Sequence, residues 1–561
     1  MNLGVGDFEK GSAVDSHLEA DDHATGHGHH HPDWVDDSHA QLAFFHRFNR
    51  WMEKMGGETR GIERVPEDER FDDSYWNSAS MWLGGNLVIA AFSLGGIGIT
   101  AFGLVFWDSV LVIIFFSLLG GLLVAYLSTF GPPTGMRQMV LSRYWFGFQG
   151  VRIAALINCI AAVGWGAVNT MASANVLHQI NNGALPNFAG ILIIALASLA
   201  ISLFGYKVVH YYEKIAWIPN FAVFLVIASR MGMSGKFTFG HMGSGSVEAA
   251  NCLSFGTAIF GFAAGWSPYA SDYTAYKPAD TNRFKCFLWV FIGEATPVMF
   301  ACILGAAVST GTISDPHWAA VSNADSTGGL LRLVLVDNSL HGFGEFCMVV
   351  LSLSTIANNI PNLYTFALSA QSICSWFRYI PHYIWVIVCT GISIAIAIPG
   401  ITSFESFLGD FMNIIGYWVA FYGGIGIAEH FIYRRGMKGY NLKVYNDPKK
   451  IGVGYSAVFA GGCGIMGAVL GMAQPWYVGE ISRHIGDPKY GGDIGFILAF
   501  SFAFTALALT RWIEIKYDGG WSYPSLHPPE EEDIAHSEHN IGKAARIGFD
   551  SASGDDSVSV V

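Results

Sequence analysis

Residues 261–269 read Gly-Phe-Ala-Ala-Gly-Trp-Ser-Pro-Tyr and interrupt a long apolar run that extends over residues 252–275. Glycine loses more backbone entropy than other residues when it joins a helix, and proline lacks the N–H group that a helix interior uses. Gly265 and Pro268 therefore predict a break inside an otherwise continuous helix.

A second apolar run, near the start of the chain, is interrupted in a similar way. Residues 80–106 contain Ser-Leu-Gly-Gly-Ile-Gly at positions 93–98, where Gly95 and Gly96 predict another helix break. Small residues also let membrane helices pack closely, so each interruption alone has a structural explanation. If the two runs are corresponding parts of an inverted repeat, the paired breaks predict a binding site near the membrane midplane.

Apolar runs of this length recur along the whole chain. The 561 residues include only 13% charged residues, about half the fraction of a soluble protein. Roughly 20 apolar residues cross the hydrocarbon layer, and a helix satisfies their backbone groups without water. We therefore predict an all-α integral membrane protein with about twelve transmembrane helices. The spans are placed near residues 80–106, 109–130, 150–176, 189–205, 209–230, 252–275, 286–309, 342–374, 380–399, 403–430, 454–474 and 493–514.

The polar segments between the spans predict the topology. With the N-terminus inside, most of the Lys and Arg residues between spans fall in internal loops, as the positive-inside rule expects. No apolar core follows a basic start, so a cleaved signal peptide is not expected. We predict cytosolic tails at 1–79 and 517–561, the first of them disordered. Ten core helices would occupy 80–430, and two more would occupy 431–516.

Several classes of partner are disfavoured by composition. The eight cysteines form no CxxC pair, so neither a disulfide framework nor a zinc site is indicated. The cluster His27-Gly28-His29-His30-His31 can bind metal, but a disordered low-complexity run is the preferred interpretation. A net charge of −13 argues against nucleic acid. We expect no resident metal or cofactor.

The third span carries two side chains suited to a flat polar ligand. Trp165 and Asn169 are spaced i,i+4 and so project from one helical face. An indole can stack on a planar heterocycle while an amide hydrogen-bonds its edge. Membrane tryptophans often belong to interfacial belts instead, but Trp165 lies deep in its span.

The eighth span is unusually polar at its middle, where residues 352–364 read Ser-Leu-Ser-Thr-Ile-Ala-Asn-Asn-Ile-Pro-Asn-Leu-Tyr. Asn358, Asn359 and Asn362 are costly at this depth unless they face a cavity or bond to a neighbouring helix. Asn358 and Asn362 share a face by their i,i+4 spacing. These amides predict either a ligand site or polar contacts that hold helices together.

These residues resemble the nucleobase-cation-symport-1 family, and specifically its fungal purine-cytosine permease branch. The resemblance covers Ser80 to Lys516. Its motifs are Met-Trp-Leu-Gly-Gly-Asn at 81–86 with Phe-Ser-Leu-Gly at 92–95, Gly-Met-Arg-Gln-Met at 135–139, Gly-Trp-Ser-Pro-Tyr-Ala-Ser-Asp-Tyr at 265–273, and Asn-Asn-Ile-Pro-Asn at 358–362.

The resemblance implies a leucine-transporter-like fold of two inverted five-helix repeats plus two helices. It also implies a proton symporter that imports cytosine and purine nucleobases across the plasma membrane by alternating access. The family's aromatic sandwich falls on Trp165 with Trp266, or with Phe262 if the alignment shifts across the break. Its other substrate contacts fall on Ser93, Asn169, Asn358, Asn359 and Asn362.

The coupling ion is predicted from a departure from the family. Sodium-coupled relatives have hydroxyl residues just before the first eighth-span asparagine, whereas this chain has Ile356 and Ala357. Sodium is a hard cation that needs an oxygen cage, so a co-transported proton is expected, although Ser354 and Thr355 lie nearby. Glu294 is the candidate proton carrier, with a purely structural pairing as its alternative.

Other readings remain open at this point. The same family branch could carry uracil, allantoin or a pyridine vitamin, and sodium coupling is a further alternative. A non-transporting membrane receptor or scaffold is a different class, which would not need mid-membrane asparagines or paired breaks. An enzyme is not expected, since the chain shows no nucleophile elbow, phosphate loop or metal-ligand motif. Asp272 is predicted to fix the cytosolic end of the sixth span.

Overall fold

The computed structural model describes residues 61–203 and 206–527, which are mostly helical. The longer helices are α1 Tyr75–Asn86, α2 Ile89–Thr100, α3 Phe106–Ser128, α4 Arg143–Ile180, α5 Asn187–Leu203, α6 Tyr206–Ser234, α7 Ser246–Ala264, α8 Arg283–Ser309, α9 Pro316–Leu335, α10 Gly342–Ile373, α11 His382–Gly400, α12 Phe404–Ala428, α13 Tyr455–Gly471 and α14 Gly495–Asp518.

Short elements join these helices. The helical turns are Glu67–Glu69, Gly131–Thr134, Gln138–Leu141, Ser267–Tyr273, Gly311–Ser314, Val336–Leu340, Ser375–Tyr379, Ile401–Ser403, Glu429–Arg434, Met437–Gly439, Leu442–Val444, Pro448–Ile451 and Ser482–His484. Between α13 and α14, strand β1 (Ala473–Gln474) pairs antiparallel with β2 (Tyr477–Val478).

The helices account for the predicted spans. In the described part of the chain, eight stretches are long and apolar enough to cross a membrane, and α1 with α2 form a ninth that is bent by 55°. One of the eight, His382–Arg434, contains both α11 and α12, and α5 and α13 are shorter apolar helices. The all-α membrane fold with about twelve spans is therefore confirmed. Helix α9 was not predicted.

The break in the first span was predicted at the wrong place. Helix α1 ends at Asn86 and α2 begins at Ile89, whereas Gly95 and Gly96 lie within α2. A Cβ atom on Gly95 would lie 1.9 Å from the carbonyl oxygen of Cys302 in α8, and one on Gly96 would lie 2.7 Å from Ser309 Oγ. The two glycines therefore allow α2 and α8 to pack closely, which is the structural alternative.

The break in the sixth span is where the sequence predicts it. Helix α7 ends at Ala264, and Gly265 is its C-terminal cap. Pro268 is the second residue of the 3₁₀ turn Ser267–Tyr273, where the missing N–H group is tolerated.

The segment before α1 is packed, so the predicted tail boundary at residue 79 was wrong. Val65 donates its backbone N–H to Gly135 at 2.8 Å, and the buried Arg70 donates to the carbonyl of Pro132 at 2.8 Å. This segment is polar and is held by hydrogen bonds to a distant loop, so hydropathy does not reveal it. The predicted histidine cluster at 27–31 lies outside the described residues.

The predicted tail after residue 516 also begins too early. Helix α14 continues to Asp518, and the chain beyond it packs back on the bundle. Tyr523 is 5% exposed and donates to Glu429 at 2.5 Å, while Arg434 donates to the carbonyl of Ser522 at 3.0 Å. Polar contacts rather than apolar periodicity fix this segment.

Candidate functional site

Two indole rings lie nearly parallel next to the break in the sixth span. Trp165 lies on α4 and Trp266 lies between α7 and the turn Ser267–Tyr273. Their ring centroids are 6.5 Å apart, and their planes differ by 19°. Each side chain is only 3% exposed, so the pair is closed off from solvent.

Gly265 makes this arrangement possible. A Cβ atom at that position would lie 2.7 Å from Cζ2 of Trp165. Phe262 is the other candidate partner of Trp165, but it meets that ring at 71° with a centroid distance of 5.3 Å. Phe262 therefore packs edge-on against Trp165, and Trp266 is the parallel partner.

An amide cluster lies one helical turn beyond Trp165 on the same face of α4. Asn169 donates through Nδ2 to Asn358 Oδ1 at 2.7 Å and to Asn359 Oδ1 at 2.9 Å. Asn362 donates to Asn358 Oδ1 at 3.2 Å, and Tyr269 donates to Asn362 Oδ1 at 2.9 Å. The four amides thus join α4, α10 and the turn after the sixth-span break.

The break in the first span meets both the ring pair and the amides. Asn86, the last residue of α1, accepts a hydrogen bond from Trp266 Nε1 at 2.8 Å. The carbonyl of Gly85 accepts from Asn358 Nδ2 at 2.5 Å. Asn86, Gly85 and Tyr269 were not among the predicted site residues. They occur in the quoted motifs, but sequence spacing gives no sign of partners so far along the chain.

Two buried polar atoms of the ring pair and the amides, Trp165 Nε1 and Asn169 Oδ1, have no hydrogen-bond partner among the described residues. The same holds for Trp82 Nε1 on α1, Ser93 Oγ on α2 and Ser267 Oγ in the turn after α7. Buried polar atoms without partners are costly and few in folded proteins. Trp165 supplies a donor and Asn169 an acceptor. Such a pair of groups can bind a ligand that carries both hydrogen-bond types on one edge.

The residues predicted to decide the coupling ion are Ser354 and Thr355 on α10 and Glu294 on α8. Ser354 Oγ accepts from the backbone N–H of Ile89 at 3.0 Å, and the hydroxyls of Thr355 and Ser173 are 2.6 Å apart. Both hydroxyls therefore already have protein partners. Glu294 is completely buried on α8, and neither of its carboxyl oxygens has a partner among the described residues.

Asp272 holds the end of the sixth span, as the sequence predicts. Its Oδ1 accepts from the backbone N–H of Gln138 at 2.6 Å, and its carbonyl accepts from Arg137 at 2.8 Å. A few residues further on, Lys277 pairs with Asp72 at 3.0 Å. The segment before α1 is thereby tied to the segment after the sixth-span break.

Two broken helices around an occluded pair of rings define a class of protein: membrane transporters with the leucine-transporter-like fold. The solved structures support this fold. The nucleobase-cation-symport-1 family transporter Mhp1, closed with bromovinylhydantoin bound, matches with a TM-score of 0.62 at 15% identity and covers 82% of this chain and 96% of its own. A Na⁺-coupled sialic acid symporter matches with a TM-score of 0.56 at 13% identity, covering 83% and 94%.

Sequence comparison gives the family. Residues 64–488 match the family described as permease for cytosine/purines, uracil, thiamine, allantoin, and the chain belongs to that family. The purine-cytosine permease FCY21 of Saccharomyces cerevisiae is 48% identical, over 86% of this chain and 90% of that protein. FCY2 of the same yeast is 47% identical over 86% and 91%, and fcyB of Emericella nidulans is 44% identical over 84% and 92%.

Proposed function

We propose that this chain is a proton symporter that imports cytosine and purine nucleobases across the plasma membrane by alternating access. The observation that carries the proposal is the near-parallel pair of Trp165 and Trp266, whose ring centroids are 6.5 Å apart. A planar ring in contact with both indoles needs about 3.5 Å on each side, or about 7 Å in all. The centroid distance of 6.5 Å is close to this value, and a flat heterocycle is therefore the ligand shape we propose for the site.

The polar groups beside the rings supply the remaining binding energy. Stacking on an aromatic side chain contributes roughly 1–3 kcal/mol per base, whereas micromolar affinity needs about 8 kcal/mol. The partnerless Trp165 Nε1, Asn169 Oδ1 and Ser93 Oγ are buried groups that a nucleobase edge can satisfy. The purine-cytosine permeases named above, at 44–48% identity, support this ligand class.

Proton coupling is supported by what surrounds the first eighth-span asparagine. The two residues before Asn358 have no side-chain oxygen, and the hydroxyls of Ser354 and Thr355 already have protein partners. The two side chains directly before Asn358 therefore add no oxygen to the cage that a sodium ion needs. Glu294 is the candidate proton carrier, because an isolated ionised carboxylate is costly in such surroundings.

The basic residues near the end of the sixth span support a cytosolic N-terminus. Arg137 and Lys277 lie on the face of the bundle where the described chain begins. By the positive-inside rule this face is the cytosolic one. The segment after α14 is joined to the start of α4, because Arg434 donates to the carbonyls of both Ser522 and Tyr144. Import then requires the contacts of Asp72 and Asp272 on this face to open after the substrate is bound.

Uptake measurements in cells without their own nucleobase carriers test the proposal. Radiolabelled cytosine is offered at two pH values, with and without sodium, and against competing adenine, hypoxanthine, uracil, allantoin and pyridoxine. We expect uptake that rises at acidic pH, stops when a protonophore collapses the gradient, and is inhibited by adenine and hypoxanthine. Uptake that needs sodium would reverse the coupling assignment, and inhibition by allantoin or pyridoxine alone would change the substrate. No uptake by surface-expressed protein would favour a receptor or scaffold.

A further inference from the structure

The amide of Asn169 has only one group left for a ligand. Both hydrogens of its Nδ2 have acceptors, Asn358 Oδ1 at 2.7 Å and Asn359 Oδ1 at 2.9 Å. Its Oδ1 is buried and has no partner among the described residues. In this arrangement Asn169 offers a ligand an acceptor and no donor.

The orientation of this amide matters because a 180° rotation exchanges Oδ1 and Nδ2 without changing the shape of the side chain. The hydrogen-bond partners of the amide therefore determine which of the two atoms faces the ligand. The orientation of Asn358 is determined by a backbone carbonyl. The carbonyl of Gly85 can only accept, so the atom of Asn358 that lies 2.5 Å from it must be Nδ2. Asn358 Oδ1 then faces Asn169, and since this oxygen can only accept, Asn169 must donate to it through Nδ2.

A second chain of contacts gives the same result independently. Ser198 on α5 donates its one hydroxyl hydrogen to the carbonyl of Ile194 at 2.9 Å. Its Oγ can therefore only accept from Asn359, whose Nδ2 lies 3.4 Å away. Asn359 Oδ1 is thereby turned toward Asn169. Two backbone carbonyls, on different helices, thus fix the same orientation of Asn169.

We propose that Asn358 and Asn359 are positioning residues that hold Asn169 as an acceptor, so that a ligand must place an N–H group against Asn169 Oδ1. The inference rests on the proposed function and narrows its substrate class. Planar heterocycles with an N–H on the edge that meets Asn169 are accepted, and flat rings of the same size without one leave Asn169 Oδ1 buried and unpaired. A site built to bond a polar group rejects an isostere that lacks it far more strongly than a purely apolar pocket does.

Three pyrimidines of similar size test the requirement on the purified full chain in lipid nanodiscs. Binding of radiolabelled cytosine is displaced by unlabelled cytosine, by 4-methylpyrimidin-2(1H)-one, which has a methyl group in place of the amino group, and by 1-methylcytosine, which lacks the ring N–H. We expect at least one methylated probe to bind at least about tenfold more weakly than cytosine, because it leaves a buried acceptor unpaired. Equal binding of all three overturns this inference and leaves the proposed function standing. No binding of cytosine overturns both.

Variants of Asn358 separate positioning from a merely structural role. Asn358→Asp, neutral at this buried position, can donate its hydroxyl to Gly85 and offer its carbonyl to Asn169, so the affinity ratio of cytosine to the weaker probe is expected to stay near the wild-type value. The double substitution Asn358→Leu with Asn359→Leu removes both contacts that orient Asn169, so the ratio is expected to fall to about threefold or less. Thr365→Val, on the same helix and equally buried, is the matched control and keeps the wild-type ratio.

Each result for these variants is decisive. A wild-type ratio in the double leucine variant shows that Asn358 and Asn359 do not orient the Asn169 amide, and it overturns the proposal. If the double variant does not fold, Asn358→Asp still decides, because a collapsed ratio in that folded variant contradicts the proposed chain of hydrogen bonds. A lowered ratio in Thr365→Val would likewise overturn the proposal, since that change touches no contact of Asn169.

Discussion

Replacing Gly265 by alanine perturbs the ring pair by a single methyl group. The added Cβ would lie 2.7 Å from Cζ2 of Trp165, whereas ordinary contact begins near 3.4 Å, so the ring edge must move by 3.4 − 2.7, or about 0.7 Å. Phe262 and Phe411 pack edge-on against the same ring, with centroid distances of 5.3 and 5.7 Å, and resist that movement. Overpacking of this kind costs about 1–3 kcal/mol. If the cost falls on substrate binding, the KM for cytosine rises about 5- to 150-fold.

The assay is the initial rate of radiolabelled cytosine uptake over a range of concentrations, divided by the amount of protein at the cell surface. Gly391→Ala is the matched control, because a Cβ atom on Gly391 of α11 would meet nothing within 4 Å. We expect an unchanged KM for the control. A wild-type KM for Gly265→Ala at a wild-type surface level would refute the assignment of Trp165 to the substrate site.

The remaining predictions concern contacts around the site. Asn86→Leu leaves Trp266 Nε1 unpaired, at a cost of about 1–3 kcal/mol; we expect a raised KM for cytosine, and a KM equal to wild type would contradict the contact's role. Asp72→Asn or Lys277→Met breaks the ion pair between these residues. Each single substitution is expected to lower the midpoint of thermal unfolding in detergent more than the double substitution Asp72→Asn with Lys277→Met does. Equal decreases of the midpoint in the single and double variants would argue against an interaction between Asp72 and Lys277. Glu294→Gln is expected to bind cytosine but to lose the rise of uptake at acidic pH, and an unaltered pH profile would remove Glu294 as proton carrier.

Spacing along single helices was a reliable guide to which side chains lie on one face. Trp165 and Asn169 are one helical turn apart, and Asn358 and Asn362 are too, so their shared faces could be predicted without knowing the fold. The structure joins Asn169 to Asn358 by a hydrogen bond between α4 and α10. Polar residues deep in an apolar run are expensive, and this is why they stand out in the sequence.

Contacts between residues far apart in the chain could not be predicted from the sequence. Glycine favours a break and close packing alike, and only the position of the Cys302 carbonyl shows that Gly95 serves packing. Asn86 lies beside the true break, but its partner Trp266 is far along the chain, so nothing local marks the contact. The packed segment before α1 is polar and is held by Arg70, which hydropathy treats as a tail residue.

A structure of the full chain with cytosine bound tests the central claim most directly. The account predicts density for one flat ring between Trp165 and Trp266, a centroid distance widened from 6.5 Å to about 7 Å, and a cytosine N–H group within hydrogen-bond distance of Asn169 Oδ1. Cytosine bound elsewhere, or the two indoles still 6.5 Å apart with the ring outside them, would contradict it.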